Sequence, residues 1–147
     1  MAPVLKTSAG LGLLAALVLI PLSVYLGYVK FEFKLTNFIL LWMLNNLLFV
    51  CIAEEAIFRG MIQKFLMLRL QRFQTGRWIA LFIAAVLFGL VHYQGGLNYM
   101  LLAAIAGCFY GYAFMKTDKI EASVLTHFIV NLIHFVGFTY PALNVIR

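Results

Sequence analysis

The chain has 147 residues, of which 65% are hydrophobic and 11% are charged, and its mean hydropathy is +1.00. A soluble domain carries about a quarter charged residues, and a chain of this length cannot bury so much apolar surface in its own interior. The composition therefore excludes soluble, disordered and disulfide-scaffold proteins. It predicts a single-domain, all-α polytopic membrane bundle over residues 1–147.

Five apolar runs follow one another along the chain, each near the roughly 20 residues that a transmembrane helix needs. The predicted helices cover residues 9–29, 37–53, 78–92, 97–115 and 122–138. No small-residue cleavage site follows the first run, so we interpret it as an uncleaved helix that tolerates Pro21. Helical periodicity in the second run continues to Phe73, so this helix either protrudes from the membrane or breaks near Asn45–Asn46 or Gly60.

The net charge of +6 is distributed between the runs, and we find no basic face that would suit nucleic acid. The positive-inside rule assigns the more basic side to the cytoplasm. On that side lie Lys6, Lys64, Arg69, Arg72, Arg77, Lys116 and Lys119. On the other side lie Lys30, Lys34 and Arg147. The asymmetry predicts a multi-pass protein with its N-terminus in the cytoplasm.

Small residues inside the runs have simple packing interpretations. Cys51 and Cys108 both fall within apolar sequence, which predicts two buried small hydrophobic side chains. Gly107 and Gly111 are spaced as a small-xxx-small pair, which lets two membrane helices approach closely.

Six ionisable residues lie within or beside the apolar runs, although each costs on the order of 3 kcal/mol at membrane depth. They are Glu54, Glu55, Arg59, His92, His127 and His134. Intramembrane residues of this kind normally face the interior of a bundle and mark functional sites. For His134 we favour a structural hydrogen bond.

The spacing of these residues divides their roles. Glu55 and Arg59 are four residues apart and can pair on one helix face, so we assign them to holding the site. Glu54 lies about 100° away around the helix and has no partner there, which suits a general base. His127 and Asn131 are again four residues apart.

Helix depth permits a common site. Counted from the intervening turns at 1.5 Å per residue, Glu54 and His92 differ in depth by well under about 10 Å. A convergent site of Glu54, His92, His127 and Asn131 can activate a water and stabilise an oxyanion, as peptide hydrolysis requires. Glu54, His92 and His127 can equally bind a divalent metal such as zinc. The sequence contains neither HExxH nor GxSxG, which excludes a zincin-type site and argues against a catalytic serine nucleophile.

Three motifs occur in order on successive predicted helices. Residues 54–59 read EExxxR, residues 88–92 read FxxxH, and residues 127–131 read HxxxN. In this ordered set the chain resembles the CPBP family, the CAAX proteases and bacteriocin-processing enzymes that are also called the Abi family. The resemblance covers about residues 51–131, a catalytic core to which residues 9–29 add an N-terminal transmembrane helix.

The resemblance implies an intramembrane endopeptidase of glutamic or metal-dependent type. By position, Glu54 would activate the water, His92 would help to hold it, and His127 and Asn131 would stabilise the oxyanion. Arg59 would brace Glu54 and Glu55. The implied substrate is a membrane-associated or exported protein, and we expect a bacterial processing or sorting-tail protease of the inner membrane. A role in trimming CAAX tails ranks behind these.

Three other classes of function use similar residues. A membrane cytochrome would bind haem through histidines, and a proton-conducting transporter would relay protons through Glu and His. A catalytically silent scaffold or bacteriocin-immunity protein of the same fold is the principal alternative. We favour the protease because every motif residue is intact.

Overall fold

The computed structural model describes residues 2–139, so the predicted side for Arg147 lies outside the described residues. Within the described residues there are five long helices: α1 (Ala2–Tyr25), α2 (Ile39–Arg69), α3 (Gly76–Val91), α4 (Gly96–Thr117) and α5 (Ile120–Gly137). A 3-10 turn, Tyr93–Gly95, joins α3 to α4. Over these residues the only β-pairing is an isolated bridge between Phe31 and Phe138. The prediction of an all-α membrane bundle is confirmed.

Four of the five helices are long and apolar enough to cross a membrane, and α3, at 16 residues, is shorter. Large apolar side chains are exposed along the outer faces of α1, α2 and α3. In a bundle of this hydropathy such a surface faces lipid. The chain is therefore an integral membrane protein.

Helix α1 begins at Ala2 rather than Ala9 and ends at Tyr25 rather than Val29. It runs through Pro21 without interruption. It ends early because Gly27 adopts a positive φ of 65°, a conformation that glycine accepts without a side-chain clash. The amide of Tyr28 then donates to the carbonyl of Ser23 at 2.8 Å, which turns the chain back onto the bundle.

Helix α2 is continuous over its 31 residues. It does not break: it stays helical but widens into π-helix at Asn46–Cys51 and again at Ala56–Gln63, the two places where a break was considered. In a regular α-helix, residues four apart point in directions that differ by about 40° around the helix axis, and residues five apart differ by about 140°. The wider π turns change this rotation, and four polar side chains are buried along α2 together with Cys51. The four are Asn46, Glu55, Arg59 and Gln63.

Helix α4 packs against α1, α3 and α5. A Cβ atom at Gly107 would lie 3.1 Å from Cα of Ala85 on α3, and one at Gly111 would lie 3.2 Å from Cγ of Leu81. A Cβ atom at Gly111 would also lie 2.8 Å from Oε1 of Gln63 on α2. The predicted close approach at the small-xxx-small pair is therefore present, and it involves both α3 and α2.

The segment between α1 and α2 closes one end of the bundle. The last carbonyls of a helix have no partner within it. Here the amide of Glu32 donates to the carbonyl of Gly137 at 2.9 Å, and the amide of Lys34 donates to that of Val136 at 2.8 Å. The ammonium of Lys34 also donates to the carbonyl of Phe138. These bonds hold the segment over the C-terminus of α5.

Candidate active site

A buried charge pair lies at the centre of α2. Arg59 Nε lies 3.0 Å from Glu55 Oε2, and Arg59 Nη1 donates to Glu55 Oε1 at 3.1 Å. Both side chains are 0% exposed. The pairing that the i, i+4 spacing predicted is present, with one hydrogen bond and one further ion-pair contact, and the opposite charges compensate each other where burial would otherwise penalise both heavily.

The same arginine ties α2 to α4. Its Nη2 donates to the carbonyl of Gly107 at 2.9 Å. One turn further along both helices, Gln63 Nε2 donates to the carbonyl of Gly111, also at 2.9 Å. Without side chains on these glycines, the α4 backbone is open to both donors. Gln63 was not singled out from the sequence, although its place four residues after Arg59 is a signal that could have found it.

His127 connects the two glutamates. Its Nδ1 lies 2.9 Å from Glu55 Oε1, and its Nε2 lies 4.0 Å from Glu54 Oε2. A carboxylate only accepts hydrogen bonds, so Nδ1 carries a proton that it donates to Glu55. Nε2 is therefore the nitrogen that faces Glu54.

Glu54 occupies a less enclosed position than Glu55. Its side chain is 30% exposed, and among the described residues its Oε2 atom has no hydrogen-bond partner. A carboxylate oxygen in this setting can accept a hydrogen bond or a proton from a small molecule beside it. That difference from Glu55 matches the division of roles expected from the spacing.

Aromatic rings fix the orientation of His127. Tyr110 on α4 stacks on the imidazole with ring centroids 4.4 Å apart and planes 13° apart. Phe88 on α3 meets the same imidazole edge-on at 5.9 Å, and its ring also lies 4.7 Å from the guanidinium carbon of Arg59. No local pattern in the sequence marks Tyr110, because His127, the residue that it stacks on, lies on another helix.

His92 directly follows α3, and the last turn of that helix orients its side chain. Its Nδ1 lies 2.6 Å from the carbonyl oxygen of Phe88. A carbonyl oxygen cannot donate, so Nδ1 carries the proton and Nε2 of the neutral ring is an acceptor. The edge-to-face contact with Tyr99, at 5.2 Å, holds the ring in place. This arrangement leaves Nε2 for a ligand.

Asn131 forms its polar contacts with α2. Its Nδ2 donates to Asn46 Oδ1 at 3.3 Å and lies 3.8 Å from Cys51 Sγ, a weak acceptor. The thiol of Cys51 in turn donates to Asn46 Oδ1 at 3.3 Å. Asn46 was noted only as an interruption of the second run, and it is a buried partner of a motif residue.

The prediction of two buried small side chains is confirmed for Cys51, which is 0% exposed, and is wrong for Cys108. Cys51 is buried, but it lies within a polar cluster. Cys108 is only partly buried. The sequence around each cysteine is apolar, and it carries no information about the polar partners that other turns and helices supply.

A cavity of about 110 Å³ lies beside these residues. Its polar lining includes His92, His127, Asn131 and His134, so the three polar residues that α5 contributes face one space. His134 also forms a hydrogen bond with the backbone of Thr139. Glu54 and Glu55 do not line the cavity, and His127 is the residue that joins them to it.

The residues considered for a metal do not form a three-ligand centre. Within residues 2–139, no group of three or more His, Cys, Asp or Glu side chains is placed to hold a metal ion. His127 directs Nδ1 to Glu55, and His92 directs Nδ1 to a backbone carbonyl.

Comparison with known protein families assigns the chain to one of them. The model of the Rce1-like family, described as type II CAAX prenyl endopeptidases, matches residues 36–133, about two thirds of the chain. The chain belongs to this family, which is the CPBP or Abi family. A search of curated proteins and a search of solved structures each found no match.

Proposed function

We propose that the protein is an intramembrane endopeptidase that hydrolyses a peptide bond in a membrane-associated or exported protein. Family membership supports the class of reaction. The observation that carries the residue assignment is the position of His127, with Nδ1 bonded to Glu55 and Nε2 directed to Glu54 at 4.0 Å. The two glutamates thus contact different nitrogen atoms of the His127 imidazole.

In this proposal the attacking water lies between Glu54 Oε2 and His127 Nε2. A water that makes hydrogen bonds of about 2.8 Å to both atoms spans a 4.0 Å separation with an angle near 90°. Glu54 accepts a proton from the water while the water oxygen bonds to the carbonyl carbon of the substrate. Neutral His92 accepts a hydrogen bond at Nε2 and helps to orient the reactants.

The tetrahedral intermediate carries its negative charge on the former carbonyl oxygen. Asn131 donates to this oxygen through an amide hydrogen that otherwise has only the weak sulfur acceptor of Cys51. His127 is doubly protonated from the start of the reaction and donates from Nε2 to this oxygen, while the carboxylate of Glu55 offsets its positive charge. Glu54 then passes the proton that it took from the water to the leaving nitrogen as the carbon–nitrogen bond breaks, which leaves an amine and a carboxylic acid, and the acid gives up its remaining proton to the restored Glu54 carboxylate or to solvent.

The test is a comparison of the protein termini in membrane and exported fractions of cells that carry the native chain or Glu54→Gln. Glu32→Gln is the matched control, because it removes an exposed carboxylate far from the motif residues in sequence. We expect a defined set of termini to disappear in Glu54→Gln and to persist in Glu32→Gln at equal protein levels.

The same experiment separates the alternatives. Identical termini in the native and Glu54→Gln cells would favour the silent scaffold or immunity protein. Termini that follow a prenylated cysteine would assign the protein to CAAX trimming, whereas cuts in exported proteins would assign it to bacterial processing.

We also propose that the protein lies in a bacterial inner membrane with its N-terminus in the cytoplasm. The asymmetry of the basic residues supports this orientation. A membrane-impermeant thiol reagent applied to intact cells, with single cysteines placed at Lys30 and at Arg72, tests it. Labelling at Lys30 alone is expected, and labelling at Arg72 alone would reverse the orientation.

A further inference from the structure

Helix α1 and the turn after it lie outside residues 36–133, the part of the chain that the family model matches. They nevertheless form one side of the cavity that contains His92 and His127. Leu19 and Ser23 face it from α1, and Tyr28 and Val29 face it from the turn. All four are buried. The matched region by itself would leave the cavity open on this side.

We propose that α1 and its turn form the specificity wall of the cavity, and that Leu19 limits the size of the substrate side chain that enters beside the scissile bond. This inference rests on the proposed endopeptidase function and adds to it a residue that selects the substrate. The side chain selected is aliphatic.

The lining of the cavity supports an aliphatic occupant. Besides Leu19, the lining includes the small or aliphatic residues Leu102, Ala103, Ala106 and Val130 of α4 and α5, together with the rings of Phe88, Tyr99 and Tyr110, and the polar groups are contributed mainly by the motif helices. The volume is about 110 Å³. An apolar cavity of about 150 Å³ is known to hold benzene. The smaller space suits a branched aliphatic side chain and disfavours an aromatic ring.

The wall is held in place before any substrate binds. The amides of Tyr28 and Val29 both donate to the carbonyl of Ser23, at 2.8 and 3.4 Å. The Tyr28 ring stacks on Tyr99 of α4 with centroids 5.3 Å apart and planes 10° apart. A wall fixed on two sides can discriminate by size, since it cannot move aside without breaking these contacts.

Leu19→Ala tests the proposal, with Leu17→Ala as the matched control. The two leucines lie on the same helix, but Leu19 is 7% exposed at the cavity and Leu17 is 72% exposed on the outer surface. The measurement is the residue preference next to the cut, obtained from the termini that each variant produces. Leu19→Ala should raise the ratio of aromatic to aliphatic residues at one position by about tenfold or more. Leu17→Ala should leave this ratio unchanged.

A second variant tests the opposite side of the same cavity without removing a side chain. Ala106→Val should shift the preference in the other direction, towards residues smaller than leucine. An unchanged preference in both Leu19→Ala and Ala106→Val, with termini still produced, would overturn the proposal. Failure of the proposed function has a different signature, because the native chain and Glu54→Gln would then yield the same termini.

Discussion

Glu55 and His127 are 72 residues apart in sequence, yet Oε1 of the glutamate lies 2.9 Å from Nδ1 of the histidine. The same carboxylate pairs with Arg59 on its own helix. The glutamate expected to hold the site therefore does so in two directions: it neutralises the arginine, and it orients the imidazole. This bond joins the first and third motifs directly.

The two adjacent glutamates are expected to differ in their effect on stability. Glu55→Gln leaves Arg59 buried without its counter-charge, and breaking a buried pair costs about 3 kcal/mol or more. Glu54→Gln removes a partly exposed carboxylate and should change stability by less than about 1 kcal/mol. Unfolding in detergent measures both. Equal losses of stability would contradict the separate roles.

Tyr110 is expected to act on turnover through His127. Tyr110→Leu removes the stacked ring and should lower kcat about tenfold, the equivalent of about 1.4 kcal/mol, whereas Tyr110→Phe keeps the ring and most of the rate. The assay is cleavage of a peptide that spans an identified cut site. Phe114→Leu, a buried aromatic one turn away on α4, is the control. An equal loss in Phe114→Leu would indicate general damage to the core.

Gly89 sets the distance between α3 and α4. A Cβ atom there would lie 2.6 Å from the carbonyl oxygen of Met100, a backbone atom that cannot rotate away. Gly89→Ala should therefore destabilise the protein by about 1–3 kcal/mol and displace His92. At Gly10 a Cβ meets nothing within 4 Å, so Gly10→Ala should stabilise the helix by roughly 0.5–1 kcal/mol. Thermal unfolding of both variants gives the comparison, and a neutral Gly89→Ala would refute it.

Asn46 is expected to act only through Asn131. Asn46→Ala removes the acceptor that holds the Asn131 amide and should lower kcat by about tenfold with little change in KM, less than the loss of an oxyanion donor itself. In an Asn131→Ala background the same change should have no further effect. Asn37→Ala, at an exposed position, is the control. Additive losses in the double variant would show that Asn46 acts elsewhere.

We expect the rate of cleavage to stay nearly unchanged when divalent metal is removed. Among residues 2–139 no three suitable side chains converge on one point, and the Nδ1 atoms of both motif histidines have protein partners. Dialysis against a chelator should leave the rate within about twofold. A loss that zinc restores would instead identify a metal centre assembled when substrate binds.

Much of this protein follows from local features of the sequence. The excess of apolar residues determines a membrane bundle, because no core of this size could bury them. The apolar runs place all five helices described, with boundaries that differ by one or two residues in α3, α4 and α5 and by more in α1, whose C-terminal end comes early because Gly27 ends the helix before the apolar run stops. The pairing of Glu55 with Arg59 follows from helical periodicity, since both residues lie on one element.

Only the tertiary structure determined which residues on different helices contact one another. Periodicity computed for a regular α-helix gives the wrong face for Asn46, because the π turns of α2 change the number of residues per turn. Tyr110 and Leu19 became part of the site only when α4 and α1 were packed against α5. A sequence specifies neighbours along one helix through fixed geometry, whereas partners on different helices depend on packing that no local pattern contains.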